Sequence, residues 1–385
     1  MKIAFVGQKG IPMKFGGVEK HVERLAVGLS EKGHKVFVYT RPWYSNPAVK
    51  SYKGVKLVSI RSWKTKNLDA ITHTFFATLD VLKKNYDIVH YHGVGPALLA
   101  WIPKYFKKNT KVIITFHCVD RFHQKWGWFA RFMLRLGEWM AIHASDDTIV
   151  VSKTLQLYTS RKYKADTVYV PNGVDCHKKV GVDRIKRKYG LQKGEYFLFL
   201  SRLVKHKGAH YLIDAYKKLT TDKKLVIVGD AAFTSKYVKK WKKLAGDSKK
   251  IVFTGNVSGD SQEWYELFSN AYLFVHPSES EGLPIVVLEA MSFGLPVLVS
   301  DITENMEIVG SSHGFSFKNK DVKDLKNKLQ YLLGTPELVQ KVGEDARKHV
   351  EIHYSWDDIT QSVLRVYQDA LETSPAADPN SAKTI

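Results

Sequence analysis

Short β-branched runs alternate with longer amphipathic segments along this chain, and the alternation runs through it twice. That rhythm belongs to parallel α/β architecture, where strands are covered on both faces and helices make the crossovers. In the first half, strands are predicted over 2–6, 35–39, 88–91, 111–116 and 148–151, with helices over 18–32 and 128–144. In the second half, strands are predicted over 196–201, 224–228, 251–254, 273–277 and 296–300. Its helices fall at 209–219, 235–244, 263–268, 284–292 and 322–333. The two series meet at Val168-Tyr169-Val170-Pro171-Asn172-Gly173-Val174-Asp175, a strand closed by turn residues. The expected fold is α/β, with two Rossmann-like parallel-sheet units over 1–175 and 176–355. A helix over about 356–372 is expected to pack back on the first unit, and 373–385 to form a disordered tail. The length of 385 residues agrees, because single cores stop growing beyond roughly 250–300 residues.

Charge separates the two halves. The chain carries 59 Lys+Arg against 38 Asp+Glu, a formal net charge of +21. Residues 1–180 hold 30 and 12 of these, a net of +18, whereas the remainder hold 29 and 26, a net of +3. An anionic partner is therefore expected on the first unit: nucleic acid, an anionic membrane surface or a phosphorylated substrate. Nucleic acid has no helix-turn-helix, zinc-finger, RNP or KH signature behind it. Two cysteines, Cys118 and Cys176, exclude a disulfide framework. No run approaches the roughly 18 apolar residues of a membrane span, and the first residues do not read as a signal peptide. A cytoplasmic protein is expected, soluble or peripheral on the inner face of the membrane.

Three segments could carry chemistry. The loop Gly7-Gln8-Lys9-Gly10-Ile11-Pro12-Met13-Lys14-Phe15-Gly16-Gly17 lies between a strand and a helix. Such a turn aims backbone N–H groups and the helix dipole at an anion. It matches neither G-x-G-x-x-G nor Walker A, and alone it reads equally as a plain connection. In Ser201-Arg202-Leu203-Val204-Lys205-His206-Lys207-Gly208, Arg202 and Lys207 emerge at the C-terminal edge of a sheet, where open α/β sheets bind ligands. A forked and a compact cation suit a departing diphosphate, although an isolated R-x4-K is also what a solvated loop contains. The sharpest signal is Glu281-Gly282-Leu283-Pro284-Ile285-Val286-Val287-Leu288-Glu289-Ala290-Met291. Here a helix starts at or near Pro284, a favoured first-turn proline, offering free N–H donors. Glu281 can accept from sugar hydroxyls, and Glu289, inside an apolar helix, can reach a ribose diol.

The E-x7-E spacing of Glu281 and Glu289 resembles the donor site of glycosyltransferase family 4, the retaining, nucleotide-sugar-dependent group 1 enzymes with the two-domain GT-B fold. The resemblance follows the chain in order: Gly16-Gly17, His117, Pro171-Asn172-Gly173-Val174-Asp175, Ser201-Arg202 with Lys207-Gly208, Gly229-Asp230, Thr254-Gly255-Asn256-Val257, then E-x7-E. It implies roles by position. Gly16 and Gly17 would bring backbone N–H groups to the diphosphate, and Arg202 and Lys207 would hold it. Glu281 would bind donor-sugar hydroxyls, with Gly282, Leu283 and Pro284 forming the turn beneath the phosphates; Pro284, having no N–H, can shape that turn but not donate. Glu289 would bind the ribose, and Val257 would approach the base through its backbone. His117 would face the sugar from the opposite unit. Cys118 stands where many members have Asp after that His, and Leu283 replaces the usual Phe. The long Gly-rich loop adds Lys9 and Lys14 as further phosphate or acceptor contacts.

The implied function is transfer of a sugar from UDP or GDP to an acceptor hydroxyl, in assembly of a lipid-linked or cell-surface glycan. No cofactor is expected. There is no Asp-x-Asp, so a nucleotide-bridging metal is not indicated. His90-Tyr91-His92 has metal-like spacing without Cys or Asp neighbours and reads as cleft lining. A GT-B-fold nucleotide-sugar epimerase, a phosphorylase-like enzyme and a non-catalytic nucleotide-sugar-binding relative are the alternatives. Finally, Arg121, Lys125, Trp126, Trp128 and Arg131 belong to a stretch interleaving cations with aromatics, echoed at Trp101, Lys104, Tyr105, Phe106, Lys107 and Lys108. That composition suits an anionic membrane interface on the acceptor side, or an ordinary helix with core aromatics and solvated cations.

Overall fold

The computed structural model describes residues 1–65, 68–122, 127–230 and 235–373. Eight strands form the first sheet: β1 (Lys2–Val6), β2 (Lys35–Thr40), β3 (Ser51–Tyr52), β4 (Val55–Ser59), β5 (Ile88–His92), β6 (Lys111–Phe116), β7 (Asp147–Val150) and β8 (Val168–Tyr169). Their order is β3-β4-β2-β1-β5-β6-β7-β8, parallel except for the β3–β4 hairpin. Six form the second: β9 (Tyr196–Leu200), β10 (Lys224–Val228), β11 (Ile251–Gly255), β12 (Leu273–His276), β13 (Val297–Ser300) and β14 (Phe315–Phe317), all parallel in the order β11-β10-β9-β12-β13-β14. Both sheets reverse direction once, between β1 and β5 and between β9 and β12. Those are the switch points where a crevice opens at the strand C-termini.

The strands form where the sequence is apolar on both faces: β5 and β12 are buried along their whole length. The edges depart from that rule: β3 and β8 are two residues long and partly exposed, and the β3–β4 hairpin turns at Lys53 (φ 45) and Gly54 (φ 81).

The chain crosses between the units twice, and the crossings lie side by side. The Val174 N–H donates to the Tyr354 carbonyl at 2.7 Å, and Gly173 packs so closely on Trp356 that a Cβ would lie 2.7 Å from its ring. After the return, the helix Trp356–Glu372 covers the first unit: Ile359, Val363 and Tyr367 share a core with Val22, Leu25 and Leu29 of the helix Gly17–Glu31. The Tyr367 hydroxyl also meets His90 Nδ1 at 2.6 Å.

Candidate active site

The segments that could carry chemistry follow the C-terminal ends of strands, most of them at or next to a switch point. The Gly-rich loop follows β1 and His117 follows β6. Arg202 and Lys207 follow β9, Val257 lies two residues past β11, and Glu281 follows β12. The two edges face each other.

On the first side, Gly16 (φ 108) ends the loop and opens the helix Gly17–Glu31, whose first turn has no side-chain cap. A Cβ on Gly17 would meet nothing nearer than Ile285 Cδ1, at 4.0 Å. Ile285 is the first residue of the helix Ile285–Ser292 on the second side, again without a side-chain cap. Two uncapped helix N-termini, one from each unit, thus point at one space, and both present partial positive charge to it. Pro284 stands just before that helix in extended conformation (ψ 103) rather than inside its first turn.

Lys9 is paired with the helix that follows its loop. Its Nζ bonds the buried Glu19 at 2.9 Å and its N–H donates to the same carboxylate. Burial alone would raise Glu19, but Lys9 outweighs it and holds the carboxyl below its ordinary value. Lys9 therefore anchors the loop through Glu19. The Lys14 N–H is tied to the Tyr44 hydroxyl at 2.7 Å.

On the second side Lys207 Nζ lies 2.5 Å from Glu281 Oε1, and His276 Nε2 donates to the same oxygen at 2.8 Å. Burial opposes the Glu281 charge, but Lys207 and the imidazole N–H more than offset it, so the carboxyl sits well below the carboxylate range. Burial also keeps His276 low, hence neutral with the proton on Nε2. Arg202 is exposed beside this pair, and its charge reaches Cys118 across the cleft. Gly282 lies against the other unit: a Cβ there would come 1.8 Å from the His117 carbonyl oxygen.

Sequence reasoning missed the partners that bridge the units. Glu289 is buried and paired with Lys20, whose Nζ also lies 4.9 Å over the Trp264 ring. Burial raises Glu289 above its ordinary value despite Lys20. Asn172 donates to the Leu283 carbonyl at 2.7 Å, and its Oδ1 lies 2.9 Å from His21 Nδ1. Gly259, just past Val257, meets the end of the Met13 side chain. His117 sits in a histidine group: His92 Nδ1 is 3.2 Å from its Nε2, and the His21 ring stands edge-on to it at 4.8 Å. Burial and neighbouring imidazoles push His117 and His92 well below the ordinary value, and burial takes His21 to about 4. All three are neutral near pH 7. One nitrogen from each of His21, His92 and His117 falls within 4.8 Å of the others, a set that could hold a cation among the described residues. His90 stays outside this set, bonded to Tyr367 and Thr115.

The acceptor-side residues divide. Trp128 is 82% exposed, and Phe129, Phe132, Trp139 and Arg131 are exposed on the helix Trp128–His143. These aromatics are not core. Arg121 turns inward instead: its Nε bonds the fully buried Glu138 at 2.9 Å, in a cluster with Tyr158, Lys162 and Tyr163. Lys125 and Trp126 lie outside the described residues. Arg121, Arg131, Phe132 and Arg135 line an open cavity of about 380 Å³.

Comparison with known proteins agrees with this geometry. Residues 182–349 match the glycosyl transferases group 1 family, and residues 15–178 match Glycosyltransferase Family 4. An uncharacterized glycosyltransferase of Methanocaldococcus jannaschii is 28% identical over 97% of this chain and 99% of its own length. The O-antigen chain mannosyltransferase C of Escherichia coli is 24% identical over 97% and 100%. The crystal structure of Anabaena HepE in complex with UDP-glucose superposes with a TM-score of 0.79 at 19% identity, covering 96% of this chain and all of that one. With both units matched in order and the whole fold shared, the chain belongs to the family 4, group 1 glycosyltransferases and has the GT-B fold.

Proposed function

We propose that this glycosyltransferase moves a sugar from a uridine or guanosine diphosphate donor to an acceptor hydroxyl with retention of configuration and without a metal. The observation that carries the reading is the convergence of two uncapped helix N-termini, Lys207 and Arg202 on one space opposite His117. A diphosphate needs that pattern of fixed positive charge, and a leaving diphosphate gains most from it. In this reading Gly16 and Gly17, Gly282 and Leu283 approach the phosphates through backbone, and Pro284 shapes the turn. Glu281, held ionised, accepts from sugar hydroxyls. Glu289 binds the ribose once Lys20 gives way, and Val257 borders the base. As the bond from the anomeric carbon to the phosphate oxygen breaks, the acceptor oxygen attacks from the same face. Its proton passes to the departing phosphate, so no protein nucleophile is required. The fixed cations supply the charge a metal would otherwise bring. His92 and His117 use their facing nitrogens on each other, which favours hydrogen bonding over ligation in that group.

A screen of UDP-glucose, UDP-N-acetylglucosamine and GDP-mannose by thermal shift tests the donor half. One of them should raise the melting temperature by several degrees at a hundredfold excess over its dissociation constant, which corresponds to about 2.7 kcal/mol. Shifts from none of the three would sink this reading. The E. coli relative acts on the O-antigen chain, which supports a lipid-linked or cell-surface glycan as acceptor here.

The exposed aromatics of Trp128–His143, with Arg131 and Arg135 between them and an arginine-lined cavity beneath, support contact with an anionic membrane surface. No helix among the described residues is long and apolar enough to cross a membrane. Co-sedimentation with vesicles containing phosphatidylglycerol should retain the protein at low salt. Trp128→Ser with Phe132→Ser should release it, with melting unchanged, because both side chains are exposed. Equal retention of the double variant would reject this face as the contact.

A further inference from the structure

Asn172 lies at the first crossing between the units, and its side chain touches both sides of the site. The Leu283 carbonyl can only accept, so the amide nitrogen of Asn172 faces it and Oδ1 faces His21. His21 Nδ1 must then carry the proton and donate it. Its Nε2 is a bare lone pair, buried and without a hydrogen-bond partner among the described residues. The backbone around Asn172 has little freedom, because Gly173 packs directly on Trp356, which also lies edge-on to His21 at 5.6 Å. The other side of the His21 ring meets His117 at 4.8 Å with an interplanar angle of 83°. His92 stacks on His117 at 27° and bonds its Nε2. His117 is therefore set by one hydrogen bond and one ring edge, and the ring edge is set by Asn172.

We propose that Asn172 and His21 are positioning residues for sugar transfer: one amide holds the donor loop through Leu283 and fixes the His21 ring, which in turn fixes the plane of His117. The arrangement couples the two sides. If the loop Glu281–Pro284 moves, Asn172 moves with Leu283, the His21 tautomer loses its partner, and His117 loses its lateral support. Loop placement and imidazole placement then become one event rather than two. Neither residue touches the diphosphate, so they act on turnover rather than on nucleotide affinity. This inference rests on the assignment of His117 to the donor sugar made above.

The test uses His21→Asn, because an asparagine side chain keeps a donor near the Nδ1 position and so keeps Asn172 and the loop in place, while removing the ring edge. Turnover is followed as UDP released from UDP-glucose, or GDP from GDP-mannose where the thermal screen selects guanosine. We expect kcat to fall ~10- to 100-fold with UDP or GDP affinity within about twofold of wild type. In a His117→Ala background the same substitution should cost less than about twofold, because the group it positions is gone. An undiminished kcat, or an equal loss with and without His117, would overturn the proposal. If His117→Ala alone leaves turnover intact, the His117 assignment fails instead, a result distinct from failure of the coupling. A readout independent of activity is the ¹⁵N spectrum of the wild-type imidazoles: His21 protonated on Nδ1 is expected, and protonation on Nε2 would refute the relay.

Discussion

Lys207→Ala lowers turnover by about two to three orders of magnitude, the loss seen when one charge-stabilising donor is removed from an active site. The substitution also removes the cation bonded to the buried Glu281 carboxylate and leaves neutral His276 as its hydrogen-bond donor among the described residues. Breaking one side of a buried pair destabilises a protein, so melting temperature falls as well. The two effects can be separated. In Lys207→Ala with Glu281→Gln the orphaned charge is gone and the amide still accepts from His276, so melting temperature recovers. Turnover does not recover, because nothing replaces the cation that meets the diphosphate and the carboxylate assigned to the sugar hydroxyls is gone as well. The pH dependence of stability gives a second check. Glu281 is held well below its unfolded value, so its contribution is present above the ordinary carboxylate range and is lost as pH falls through the depressed value. Lys207→Ala should flatten that acid-side dependence. A double variant that regains both stability and turnover would show that Lys207 serves only the fold.

What could be read in advance divides by sequence distance. The strands were legible because a parallel strand covered on both faces is mostly apolar and β-branched or aromatic, as β5, β6 and β12 are apart from their histidines, Lys111 and Thr115. The β3–β4 hairpin and the helices Lys153–Tyr163 and Pro336–His353 were not, since charged and polar residues interrupt them too freely to stand out. In the site, Glu281 and Glu289 were legible because their spacing is local to one loop and helix. Lys20 was not, because its partner Glu289 is 269 residues away, and Asn172 was not, because Leu283 is 111 residues away. A lysine one turn into a helix and an asparagine in a turn look ordinary until the second unit is brought over them. Arg121 has a second duty the stretch did not reveal: burial of Glu138 requires compensating donors and Arg121 supplies one, while still lining the open cavity. In the same stretch Trp128 and Arg131 are exposed, so the alternative of core aromatics does not hold for Trp128.

Gly282→Ala should be severely damaging although it adds a single methyl group. Its Cβ would come 1.8 Å from the His117 carbonyl oxygen and 3.3 Å from Cys118 Cβ. Neither contact can yield cheaply, because the obstacle is backbone at the end of β6 and the loop itself runs straight into the buried helix Ile285–Ser292. The units must therefore part locally by at least ~1 Å to restore ordinary contact distances. That displacement separates the two helix N-termini and takes His117 away from the donor loop, and a misplacement of that size costs on the order of a hundredfold in rate. Nucleotide affinity should weaken too, since a diphosphate can no longer touch both sides. Each sheet keeps a core of its own on one face, but a cluster containing Leu283 spans both units, so melting temperature should fall as well. Gly259→Ala is the control. Its Cβ would also be crowded, at 2.6 Å, but only by the flexible end of Met13, which can swing aside, and turnover should stay within a few-fold of wild type. If Gly282→Ala keeps wild-type turnover and UDP affinity, the units do not meet at this loop during the reaction, and a site built from both sides of the cleft is wrong.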